Sequence, residues 1–122
     1  MISIDEMQEM LDELAEELPE EFYDELNGGI ILLPEVQRSA YAKADDLYTL
    51  GEYRHSWSMG RYIVIFYGSF QQVFGHLSEG ELKKELRNTL RHEFTHHLES
   101  LAGENALEKE DADYINKYLG GL

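Results

Sequence analysis

The sequence predicts an α+β domain in which a small twisted sheet is backed by helices. Three observations carry this reading. An acid-rich segment near the start repeats apolar residues at helical spacing. Short β-branched and aromatic runs follow in the middle. A long, capped helical pattern then fills much of the last third. At 122 residues and 43% hydrophobic composition, the chain makes one domain over residues 1–122, with a core large enough to fold alone.

Taken in order, Ile4, Met7, Leu11, Leu14 and Leu18 recur among acids, which predicts an amphipathic helix over 4–18. Pro19 suits the first turn of a short second helix, Glu20 to Leu26, ended by Asn27-Gly28-Gly29. Ile30-Ile31-Leu32-Leu33 reads as a buried strand stopped by Pro34. Residues 36–46 read as loop with room for a helical turn. Leu47 to Tyr53 has the content of a strand, interrupted by Gly51. Gly60 to Tyr67 is the clearest strand, and Gly68 punctuates it before one or two helical turns, Ser69 to Phe74. Ser78 with Glu81 forms a capping box that opens the long helix, which reaches about Leu101 with Gly103 as its stop. A last helix is expected over Leu107 to Leu119.

The chemistry sits on the long helix. Its apolar stripe is Leu82, Leu86, Leu90, Phe94 and Leu101, while His92, His96 and Glu99 cluster well over a right angle away. His92-Glu93-Phe94-Thr95-His96 is an HExxH motif. Positions four apart stack on one helix face, so both imidazoles can hold one metal ion, with Glu93 as general base. Histidines packed in a core would lie on the apolar stripe, and these two do not. His97 does lie near it and reads as a packing residue or a support for the ligands. A catalytic zinc usually has three protein ligands. Glu99, three residues after His96, is the first candidate for the third, with Glu104 and Asp111 as competitors. Otherwise Glu99 accepts a hydrogen bond from an imidazole or is a solvated acid. Zinc suits a His, His and carboxylate set, although manganese, nickel or iron also fit.

Composition narrows the alternatives. There is no cysteine, so disulfides, thiolate metal sites and Cys nucleophiles are excluded, and with them a deformylase-like ligand set. The formal charge is −15, and residues 5–25 contain acids but no Lys or Arg. Such a surface repels nucleic acid and anionic lipid, so neither is expected as a partner. It could attract a basic partner segment, or simply be a solvated helix face. The start lacks a signal-peptide pattern and no apolar run reaches about 18 residues, so no membrane association and a cytoplasmic location are expected.

The chain also resembles the bacterial zincin-like metallopeptidase family of very small proteins with a minimal zincin fold. The resemblance rests on Leu18-Pro19-Glu20-Glu21-Phe22, on Gly60 to Phe70, and on Thr89-Leu90-Arg91-His92-Glu93-Phe94-Thr95-His96-His97. It implies a small mixed sheet packed on the motif helix, one Zn²⁺ on His92 and His96, and Glu93 as catalytic acid and base. Many members place Gly and then a presumed ligand Asp where this chain has Glu99 and Ala102. The expected function is zinc-dependent hydrolysis of a peptide or protein substrate laid along the sheet edge. Tyr62, Tyr67, His55 or Arg61 could assist as a second electrophile. The alternative is a regulatory or interaction module that keeps the fold and metal without hydrolysis.

Overall fold

The computed structural model describes residues 1–39 and 47–103. It is an α+β arrangement of three α-helices, one 3-10 turn and a three-stranded mixed sheet. The predicted helix Leu107 to Leu119 and the candidates Glu104 and Asp111 lie outside the described residues.

Helix α1 spans Ile4–Glu16. Ser3 caps it: its hydroxyl accepts the Glu6 N–H, and the Glu6 carboxylate accepts the Ser3 N–H, a reciprocal capping box. The helix stops two residues before the predicted end at Leu18, and Leu18 is buried just beyond it. Glu20–Tyr23 forms only a 3-10 turn, where an α-helix to Leu26 was expected. Four residues close too few hydrogen bonds for an α-helix to hold there.

Strand β1 is Gly29–Leu33, β2 is Gly51–Ser56 and β3 is Gly60–Phe66. Their order is β1-β3-β2, with β1 parallel and β2 antiparallel to β3. The expected strand Leu47 to Tyr53 is thus shifted: Gly51 begins β2 instead of interrupting it. Residues 47–49 make only a bridge, Arg38 to Tyr48, flanked by Thr49 N–H to Gln37 and Ser39 N–H to Leu47. The β2–β3 turn is pinned by the Met59 N–H to the Ser56 hydroxyl at 2.9 Å. Gly60 follows with φ +70°, a left-handed conformation that favours glycine.

Helix α2, Tyr67–Phe74, leaves β3 without a loop and so takes in Tyr67 and Gly68, which the sequence pattern places in or after the strand. Helix α3 runs from Glu79 to the last described residue, Gly103. At its start the Ser78 hydroxyl accepts the Glu81 N–H and donates to the Glu81 carboxylate. The core lies between one face of the sheet and the helices. Ile63 and Ile65 of β3 meet Met7, Leu11 and Leu14 of α1 and the stripe Leu82, Leu86, Leu90, Phe94 and Leu98 of α3. Each fully buried side chain of this kind contributes roughly 1.5–3 kcal/mol of transfer free energy. Outside the core, Lys83 and Arg87 of α3 bind Glu13 of α1 and Glu17 at its C-terminal cap, at 2.7 and 2.9 Å. Part of the acidic N-terminal face therefore meets cations of the same chain.

Candidate metal centre

Packing α3 against the sheet leaves a cleft between the helix and β2. Among the described residues β3 is the central strand and β2 an edge, and the start of β2 lines this cleft. Helix and strand run together. Gly51 lies against Thr89, Tyr53 against His97, and Arg61, the β3 partner of His55, against Ser100. The approach at Gly51 is close. A Cβ there would sit 3.1 Å from the Thr89 methyl and 3.1 Å from the Val64 carbonyl oxygen. The cleft has a volume of about 940 Å³ and is lined on the strand side by Tyr48 to Tyr53 and on the helix side by residues from Asn88 to Ser100.

His92, Glu93, His96 and Glu99 all line it. Both histidines lie outside the buried core, as their place away from the apolar stripe predicts. Their Nε2 atoms stand 3.2 Å apart, and the rings cross at 84° with centroids 4.7 Å apart. Two nitrogens bound to one tetrahedral zinc at about 2.0–2.1 Å stand roughly 3.3 Å apart, so this pair already has the spacing of two metal ligands. The same separation would serve a hydrogen bond if one of the two nitrogens carried a proton.

Glu99 comes to His96, but at the other nitrogen: its Oε2 is 3.6 Å from Nδ1. The carboxylate stands on the ring's far side from the paired Nε2 atoms, just beyond hydrogen-bond range. Among the described residues, no group of three or more His, Asp or Glu side chains is gathered as a metal cage. Glu93 is 5% exposed and lines the cleft. Burial pushes its carboxyl above the ordinary value; His96 pulls it back and the nearby charge of Glu52 raises it further.

His97 is fully buried and belongs to the packing. Its Nε2 lies 2.8 Å from the Asp24 carbonyl oxygen and its Nδ1 2.9 Å from the Tyr53 hydroxyl. A carbonyl only accepts, so Nε2 carries the proton and Nδ1 accepts from the phenol. Burial holds this imidazole below its usual pKa. The Asp24 carbonyl reaches it through a bend at Glu25, whose φ of 64° is unusual for a residue with a Cβ.

None of the four proposed electrophiles lines the cleft. Tyr67 donates to the Ile2 carbonyl, Tyr62 serves Arg54, Arg61 is buried with Nε 3.4 Å from the Ser100 hydroxyl, and His55 is exposed on β2. Tyr48, Glu52 and Tyr53 occupy the strand wall instead. Glu52 takes a charged bond from Arg54 at 2.6 Å. An acid beside an aromatic, Glu52-Tyr53, in the strand before Gly60 was the signal available for this wall, but it needed β2 to be recognised as an edge.

Among the described residues, no helix is long and apolar enough to cross a membrane. The chain matches no protein-family model and no curated protein. Among solved structures it is similar to a conserved hypothetical protein from Thermo thermophilus. The identity is 33% and the TM-score 0.70, with 84% of this chain and 99% of that one covered. The chain belongs to the same family as that protein.

Proposed function

We propose that the protein is a zinc-dependent peptide hydrolase with a minimal zincin fold. The observation that carries this is the His92 and His96 Nε2 pair at 3.2 Å, beside the buried Glu93, in a cleft along an edge strand. The donor set fits zinc: two imidazole nitrogens at ligand spacing, with the Glu99 carboxylate 3.6 Å from Nδ1 of one of them. Zinc held by His92 and His96 would supply Lewis acidity and activate a bound water near neutral pH.

The remaining work falls to the chain itself. Glu93 takes a proton from the attacking water and returns it to the leaving amine; its raised pKa brings it closer to the pH at which both transfers are efficient. The outer side of β2 offers main-chain groups to an extended substrate, which the strand would orient across His92 and His96. Glu99, 3.6 Å from Nδ1, would accept a hydrogen bond from the His96 ring after a small approach and so orient it.

One observation favours a second reading. Among the described residues two histidine nitrogens come to ligand spacing and no group of three donors is gathered. A metal-binding interaction module without hydrolysis needs no more than this, and the exposed acids of α1 would then dock a basic partner. Zinc titration followed by digestion of a peptide library separates the two. Glu93→Gln is expected to keep zinc affinity and to lower turnover by about 10²–10⁴. Hydrolysis surviving in that variant removes Glu93 from the mechanism, and a wild type that binds no zinc removes the proposal.

A further inference from the structure

Trp57 is 103% exposed, so its indole stands entirely in solvent. It is the chain's single Trp and the first residue of the turn after β2. Turns favour small and polar residues, and nothing in the fold uses an indole there. The turn is held rather than loose, through the Ser56 hydroxyl and the left-handed Gly60. Met59, 38% exposed, adds a second apolar side chain to the same turn. Together the two side chains make a small apolar patch on a pinned backbone, and what such a patch could meet depends on where it sits.

Its position says what the contact is. Edge strand β2 runs past the helix with Gly51 at Thr89 and Tyr53 at His97, so the His92 and His96 pair lies level with Glu52 and Tyr53. A peptide added along the outer side of β2 continues past Ser56 to Trp57. At about 3.3 Å per residue, that turn lies roughly 13–17 Å further on, or four to five substrate residues from the metal-facing bond.

We propose that Trp57 is a remote subsite beyond the end of the cleft wall at Tyr53, taking an apolar side chain of an extended peptide four to five residues from the bond facing His92 and His96. This rests on the peptide-binding reading of the cleft. It commits the substrate class to extended segments long enough to span from the helix to the β2–β3 turn, and apolar at their far end.

The single Trp makes the test direct. Full-length Glu93→Gln protein with zinc is titrated with nested peptides of about four to twelve residues, each ending in Phe or Ala, by calorimetry and by Trp emission. Long Phe-ended peptides are expected to shift the emission saturably to the blue, and short ones to bind without a shift. In kinetics on the parent protein, Trp57→Ala is expected to cut the kcat/KM advantage of long over short peptides roughly tenfold, through KM. Long peptides that bind calorimetrically with unchanged emission, or a length advantage equal in Trp57→Ala, overturn the subsite and leave the hydrolase reading standing. Peptides that fail to bind at all overturn both. A blue shift that depends on protein concentration alone assigns Trp57 to self-association and overturns it too.

Discussion

Tyr53→Phe tests the bridge that ties the edge strand to the metal helix. The Tyr53 hydroxyl donates to Nδ1 of His97, whose other nitrogen donates to the Asp24 carbonyl, so one imidazole links β2, α3 and the chain after the 3-10 turn. The substitution keeps the ring and removes only the donor. His97 is fully buried, so its Nδ1 loses a partner that water replaces poorly. Leaving a buried acceptor unpaired costs about 1–3 kcal/mol. Tyr53 is half-buried, which admits some solvent and favours the lower half of that range. With a urea dependence of about 1–3 kcal/mol per molar, the midpoint should fall by roughly 0.5–1.5 M at unchanged slope. A midpoint that does not move would show that the bridge carries no stability.

The same histidine gives the protein a pH signature. Burial holds its pKa in the folded state below the ordinary value, and the Asp24 carbonyl opposes this only in part. Between the folded and unfolded pKa values the unfolded chain binds a proton that the native state does not. Stability therefore rises with pH through that window; it falls as pH drops below about 6.5 and levels off under the folded pKa. Urea midpoints measured from pH 8 downward should show this loss in the parent protein. They should show less of it in His97→Phe, which cannot titrate. Parallel curves would refute the assignment.

Other substitutions probe the packing that makes the cleft. Gly51→Val sets side-chain atoms against the Thr89 methyl and the Val64 carbonyl, already 3.1 Å from a single Cβ, and should cost about 1–3 kcal/mol; an unchanged melting temperature would contradict the close approach. Phe94→Ala empties a fully buried site whose ring meets Tyr23 edge-on at 5.1 Å, for about 3–5 kcal/mol in urea unfolding, and a loss under about 1 kcal/mol would show that the site collapses. Glu17→Gln breaks the exposed pair with Arg87 and should cost no more than about 1 kcal/mol. The hydrogen bond from Arg87 holds the Glu17 carboxyl below its usual range, so that contribution is present above the unfolded pKa and lost as pH falls through the folded one. Raised salt should shrink it, and a salt-independent effect would argue against an ionic origin.

The parts of the fold that could be read from the sequence are those whose pattern repeats locally. Leu82, Leu86, Leu90 and Phe94 mark α3 because they share one face, and all four are buried. The run from Tyr62 to Phe66 marks the central strand because β3 has neighbours on both sides. Strand β2 was harder. Arg54, His55 and Ser56 are polar, as suits an edge that must not pair with other chains, so its C-terminal half resembled a loop. Leu47 and Tyr48 looked more strand-like but belong to a short bridge. Gly51 looked like a break in a strand, whereas the approach of Thr89 explains it. No neighbour of Gly51 in the chain carries that information.

The site divides along the same line. Helical spacing predicted that His92 and His96 would meet, and they meet through Nε2. Spacing made Glu99 the first candidate for a third ligand beside His96, and its carboxylate lies 3.6 Å from Nδ1, away from the paired Nε2 atoms. A three-residue interval fixes adjacency of side chains without fixing which ring nitrogen each one finds, because ring orientation depends on rotamer and tautomer. The strand wall opposite the histidines could not be inferred from α3 at all. Its distance from the helix depends on a missing Cβ at Gly51 and on the bond from Tyr53 to His97, 44 positions apart in the chain. The two histidines that would bind the metal are therefore local to one helix, while the width of the cleft that would hold a substrate depends on contacts between distant segments. Substitutions at Gly51 or Tyr53 should thus alter substrate binding more than metal affinity, and substitutions at His92 or His96 should do the reverse.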